Sequence, residues 1–129
     1  MKLSVALASV MLIIGTSATA SDWQYVTTGS SGDDVYVDIQ SIRNTTGIYG
    51  AYRQAWIKWD HTNNRSRPER ETKILMGFRC ENFQSSIMAS TSYMPDGRIN
   101  RSENYEYPNW VNSVPDSIGY STLEFVCNR

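Results

Sequence analysis

"IYGAYRQAWIKWD", residues 48–60, is the longest stretch of this chain that reads as a β-strand. Tyr52, Gln54, Trp56 and Lys58 point to one side of such a strand, and Arg53, Ala55, Ile57 and Trp59 to the other. Both sets carry large apolar groups, which predicts a strand that is central in the sheet or covered on both faces. The polar run from Asp60 to Glu71 follows, where Asn63, Asn64, Ser66 and Pro68 break β-pairing. "TKILMGFRC", residues 72–80, then alternates again and sends Ile74, Met76, Phe78 and Cys80 to one face. Two alternating runs around a polar break make an antiparallel hairpin, and the rest of the fold is read outward from it.

On the N-terminal side, "DWQYVTT" at 22–28 and "VYVDI" at 35–39 are short strands separated by a Gly/Ser/Asp turn. "QSIRNTTG" at 40–47 reads as a turn or one turn of helix. On the C-terminal side, "FQSSIMASTSY" at 83–93 is a strand, and "MPDG" at 94–97 is a turn in which Pro95 presets the backbone angle. "RINRSENYEY" closes that hairpin until Pro108 ends it.

The pattern then changes period. Ser113 stands three residues before Asp116, with Pro115 between them, which predicts a helix opening there. Ile118, Leu123, Val126 and Cys127 share one stripe of that helix. The elements add up to an α+β domain: an antiparallel sheet of five or six strands with a short C-terminal helix packed on one face.

The first twenty residues read as a leader rather than part of the fold. Lys2 gives a positive start, Leu3–Gly15 is an apolar run too short to cross a bilayer, and Ala18-Thr19-Ala20 suits signal peptidase. The expected mature product is residues 21–129, exported and without a transmembrane segment, destined for the periplasm, the cell surface or the medium. Its 109 residues suffice for one domain. Without Lys2 it carries eleven basic and thirteen acidic groups, a formal charge of −2, so it projects no field suited to nucleic acid. Cys80 and Cys127 are the two cysteines, and in an exported chain they are expected to pair; buried free thiols are the alternative.

Signals for catalysis are weak. No nucleophile elbow, zinc-protease helix, phosphate loop or dinucleotide fingerprint occurs, and two cysteines with one histidine make a poor metal set. No catalytic residue, metal or cofactor is therefore assigned. Paired carboxylates of the glycosidase kind leave no sequence mark, so that alternative stays open. The sole histidine, His61, is read as exposed in the hairpin loop, since the adjacent Asp60 points away from it.

Binding signals are stronger. Arg65, Arg67, Arg70 and Lys73 place four cations within nine residues, offset by Glu69 and Glu71. They are expected either to dock an acidic protein segment or a sulfated polysaccharide, or simply to solvate a hairpin tip. Trp23, Trp56 and Phe78 are assigned to the core. Tyr105, Tyr107 and Trp110, interleaved with Asn, Glu and Pro, belong either to the core or to a partly exposed aromatic rim. Asn-x-Ser/Thr triplets at Asn44, Asn64 and Asn100 mark exposed turns.

Taken in order, the landmarks are Trp23-Gln24-Tyr25-Val26, Tyr36-Val37-Asp38 with Ser41-Ile42 behind it, and Ala55-Trp56. Cys80, Tyr93-Met94-Pro95-Asp96-Gly97, Trp110, Val114-Pro115-Asp116-Ser117 and Cys127 complete the series. This order resembles the surface-adhesin protein E family of Gram-negative bacteria, over the whole mature chain. The resemblance implies an antiparallel sheet whose C-terminal helix is pinned by a disulfide. It also implies an envelope or surface protein that holds host extracellular-matrix or serum proteins and self-associates, as a homodimer for instance. The lipid-anchored type of that family departs from this sequence, which has no cysteine at its cleavage site. A soluble periplasmic inhibitor or accessory module of an envelope enzyme is the competing expectation.

Overall fold

The structure, a computed structural model, describes residues 20–129; the expected leader, apart from its last residue Ala20, lies outside them. The hairpin of residues 48–80 is its central feature. β4 (Gly50–Asp60) and β5 (Glu71–Arg79) pair antiparallel from Arg53↔Phe78 to Asp60↔Glu71. β6 (Gln84–Tyr93) and β7 (Ile99–Asn104) extend the ladder on one side, around the expected Met94–Gly97 turn. β1 (Trp23–Thr28) and β2 (Asp34–Asp38) extend it on the other, giving the order β1-β2-β4-β5-β6-β7.

Two short strands fill what this path leaves open. β4 is eleven residues long, so β2 occupies only its Ile57–Asp60 half and β3 (Arg43–Gly47) pairs with Gly50–Gln54 along the same edge. At the gap between them the Trp56 amide donates instead to Ser41 Oγ, at 2.8 Å. Ser41 is placed by a single 3-10 turn, Ile39–Ser41, capped by the buried Asp38, whose Oδ1 accepts from Gln40 N at 3.1 Å and Asp22 N at 2.9 Å. β8 (Val111–Asn112) likewise takes the end of β6 that β7 does not reach. The expected turn at 40–47 is thus a turn followed by a strand. Its Arg-Asn-Thr-Thr-Gly sequence is exposed at an edge and carries no apolar alternation to announce it.

One face of the sheet holds the core. Val35 and Val37 of β2, Ala55 and Ile57 of β4, and Ile74 and Phe78 of β5 pack against Leu123 and Val126 of the helix α1 (Ile118–Cys127). Burying each of these larger side chains contributes on the order of 1.5–3 kcal/mol. The helix starts later than its sequence suggested. Asp116 has φ +64°, outside the helical region, so Ser113 caps nothing. Ser117 is the N-cap, its Oγ accepting from Tyr120 N at 3.1 Å.

Cys80 and Cys127 are bonded, with Cα atoms 5.7 Å apart. The bond ties the end of β5 to the last turn of α1 and closes a loop of 47 residues. Chain-entropy reasoning assigns such a closure about 4 kcal/mol.

β4 is central in the sheet, the first of the two expected alternatives, while the second face is not covered by the helix. Trp56 lies on this face and is 36 % exposed, whereas Phe78 is fully buried and Trp23 is half-buried.

Candidate functional site

The segment from His61 to Arg70 connects β4 to β5 and is built from buried anchors and exposed cations. His61, expected in solvent, is 2 % exposed. Its Nδ1 lies 2.7 Å from Asp33 Oδ1 and its Nε2 2.7 Å from Thr72 Oγ1, which in turn lies 3.1 Å from Ser92 Oγ. Asn64, read as an exposed turn residue, is also buried and donates to the same Asp33 oxygen at 3.0 Å. Asp33 comes from the β1–β2 turn, twenty-eight residues before His61, so nothing local in the sequence signals the pairing. That turn presses close: Gly32 has φ +97°, and a Cβ on it would stand 2.5 Å from the Asn63 carbonyl oxygen.

With a proton on Nδ1, the imidazole donates to Asp33 and accepts from the Thr72 hydroxyl, so each buried polar group has a partner. The atoms run in the order of a hydrolytic triad. Here, however, the His61 side chain is sealed from solvent and Thr72 is itself buried against Ser92. In this arrangement the network is a staple that joins the β1–β2 turn, the loop, β5 and β6.

The staple holds the loop's exposed side firmly. His61 N donates to Arg70 O and Arg70 N to Tyr93 O, both at 2.8 Å, and Ser66 N donates to Asn64 Oδ1 at 3.0 Å. Arg65, Arg67 and Arg70 all reach solvent from this frame. Arg67 pairs with Glu69 at 3.3 Å, and Glu69 also accepts from Asn100 of β7. Glu69 is held below its ordinary carboxylate value, first by its own backbone N–H, with the Arg67 guanidinium adding to the effect. Lys73 does not join the three arginines. It stands inside β5 on the helix-free face, with Nζ 5.4 Å from the centre of the Tyr93 ring.

The aromatic run divides. Tyr105 and Tyr107 are 46 % and 67 % exposed, whereas Trp110 folds onto the helix-free face. Its ring meets Tyr52 edge-on at 5.6 Å and lies under the Arg79 guanidinium at 4.1 Å. Gly77 makes room for it, since a Cβ there would stand 2.6 Å from Met88 and 3.1 Å from Trp110. Tyr107 meets Tyr49 edge-on at 6.5 Å, and Tyr105 donates its hydroxyl to Glu103. That bond raises Tyr105 and lowers Glu103 from their ordinary values. The rim is bonded to Met88 and Ser86 of β6, and the arginine loop to Tyr93. These anchor points stand five to seven residues apart along β6, about 17–23 Å, yet Arg67 of the loop and Glu103, the acceptor of the Tyr105 hydroxyl, line one cavity between the two surfaces.

Among the described residues, no group of three or more His, Cys, Asp or Glu side chains is placed to hold a metal. No helix of the described residues is long and apolar enough to cross a membrane.

The comparisons with known proteins accord with this architecture. The family described as Surface-adhesin protein E matches residues 23–128. Two solved structures of Haemophilus influenzae protein E share the fold. One, from its crystal form II, is 13 % identical with a TM-score of 0.53, covering 86 % of this chain and 94 % of that one. The other is 14 % identical with a TM-score of 0.52, covering 86 % of this chain and 90 % of that one. No curated protein matches the chain.

Proposed function

The chain belongs to the surface-adhesin protein E family, and from that premise we propose that it is an exported envelope or surface domain that binds proteins, an adhesin for host extracellular-matrix or serum proteins. The observation that carries this reading is the extent of the family match, residues 23–128, which takes in every strand, the helix and both bonded cysteines. The β4–β5 loop is the proposed docking element. Arg65, Arg67 and Arg70 are exposed on a backbone fixed by the His61 staple, so an acidic partner segment meets cations on an already ordered loop backbone. Tyr105 and Tyr107 are a second contact, of the amphipathic aromatic kind enriched at interfaces. Self-association belongs to the same reading, through the edges of β1 and β7, which no strand covers among the described residues.

The test is twofold. Intact cells are probed with an antibody against the domain, and the purified protein is titrated against immobilised matrix and serum proteins at low and high salt. Surface labelling, with binding that weakens as salt rises and falls further in Arg65→Ser/Arg67→Ser/Arg70→Ser, is the expected result. Strict periplasmic retention, together with binding to an envelope enzyme, would replace the adhesin with an inhibitor or accessory module.

A further inference from the structure

The helix-free face of the sheet carries a row of side chains that the protein-binding reading does not use. Register places Tyr25, Tyr36, Lys58, Lys73, Thr91 and Ser102 directly opposite one another across six strands. Lys58 and Lys73 are therefore a cross-strand pair of like charge, an arrangement that costs stability in a sheet. Neither lysine has a carboxylate within ion-pair distance among the described residues. Each lies on aromatic rings instead: Lys58 Nζ is 4.9 Å from the centres of both Trp23 and Tyr36, and Lys73 Nζ is 5.4 Å from that of Tyr93.

The rows on either side differ. Toward the loop, Asp34, Asp60 and Glu71 are in register. Asp34 accepts from Thr28 Oγ1 and Asp60 from Thr62 Oγ1, each at 2.6 Å, so two of these carboxylates are already taken up by neighbouring hydroxyls. Away from the loop, Trp56, Leu75, Ala89 and Asn104 make a row without charge. Trp56 is the exposed tryptophan on this face, and no cation lies on its ring.

An open indole beside two unpaired ammonium groups, with the hydroxyls of Thr91 and Ser102 continuing the row, suits a ligand with flat C–H faces, many hydroxyls and negative substituents. We infer that this face binds a sulfated polysaccharide laid across the strands, with a sugar ring against Trp56 and a sulfate between Lys58 and Lys73. The acidic row repels sulfate from the loop side and so places it on the Trp56 side. The arginine loop suits such a chain less well, because Arg67 is paired with Glu69 and the loop offers no aromatic ring. This inference concerns a different surface and a different partner from the adhesin reading, and its failure would leave that reading standing.

The probe is a heparin hexasaccharide titrated into the full chain by calorimetry at two salt concentrations, beside the same oligosaccharide chemically desulfated. Lys58→Gln and Lys73→Gln should each weaken binding about tenfold and flatten its salt dependence. Trp56→Ala should weaken it by a similar factor with the salt dependence kept. Lys58→Arg should retain binding, which separates lost charge from disturbed packing, and thermal unfolding confirms that each variant folds. Arg65→Ser/Arg67→Ser/Arg70→Ser should bind as the parent does. The inference is overturned if the desulfated probe binds equally well, if the sheet variants bind unchanged, or if the loop variant is the one that loses the ligand.

Discussion

Replacing Asp33 with Ala is the sharpest test of how this domain holds its loop. Asp33 is 5 % exposed, and one of its oxygens accepts from both His61 and Asn64, at 2.7 and 3.0 Å. Removing it leaves two buried donors without an acceptor. A hydrogen bond to a charged group is worth about 1.5–3 kcal/mol, and the two share one oxygen, so the expected loss is about 3–5 kcal/mol. At roughly 4 °C per kcal/mol for a domain of this size, the melting temperature should fall by roughly 12–20 °C. Urea unfolding should show a lower midpoint with an unchanged slope, the sign of lost stability without a changed unfolded state. Hydrogen exchange at the amides of Asn64, Arg67 and Arg70 should quicken first, because the staple is what frames them. Asp34→Ala is the control, since the exposed bond from Thr28 to Asp34 should matter by less than about 1 kcal/mol. If Asp33→Ala costs no more than Asp34→Ala, the buried network is not what fixes the loop.

Other expectations are as definite. Cys80→Ser or Cys127→Ser should lower stability by about 2–5 kcal/mol in denaturant titration, and titration of the unreduced native protein should find no free thiol. Ser117→Ala should cost about 1 kcal/mol through the lost cap, whereas Ser113→Ala should cost almost nothing, because the Ser113 hydroxyl is buried without a partner. Asp60 supplies a pH dependence. Burial alone would raise it, but the Thr62 hydrogen bonds and the Lys58 and Arg70 charges prevail and hold it below its ordinary value. A lowered folded value means that its stabilisation is present above the unfolded value and is lost as pH falls through the folded one. Asp60→Asn should therefore destabilise at neutral pH and converge with the parent in acid, as read from melting temperatures across that range.

What was legible in the sequence is what short-range chemistry dictates. The 48–80 hairpin, the Met94–Gly97 turn and the stripe Leu123–Val126 follow from period and turn residues within a few positions, and all three are in the structure. The late helix start was missed because Ser113 and Ser117 are both plausible caps, and the backbone at Asp116 decides between them. β3 was missed because an exposed polar edge needs no apolar alternation. His61 was misplaced because its partner Asp33 arrives from another hairpin. Trp56 was assigned to the core because alternation shows that β4 has two faces without showing which one the helix covers. The Lys58–Lys73 pair had a signal that went unused: joining Asp60 to Glu71 across the loop fixes the register, and the lysines follow two residues in on each side.

The covalent link between β5 and α1 also has a mechanical consequence. In the adhesin role proposed above, the domain would work under tension. Residues 80–127 are shunted out of the load path by the Cys80–Cys127 bond, so a pull between the two ends of the described chain cannot draw them out. At about 3.4 Å per extended residue, the bond withholds about 160 Å of contour. β6, β7, β8 and most of α1 lie within that withheld length, whereas β1 to β5 and the arginine loop lie outside it. Under stretch the tether therefore yields from its N-terminal strands while the closed loop keeps its length. A reductant in the surroundings would turn the same short, stiff link into a long and compliant one.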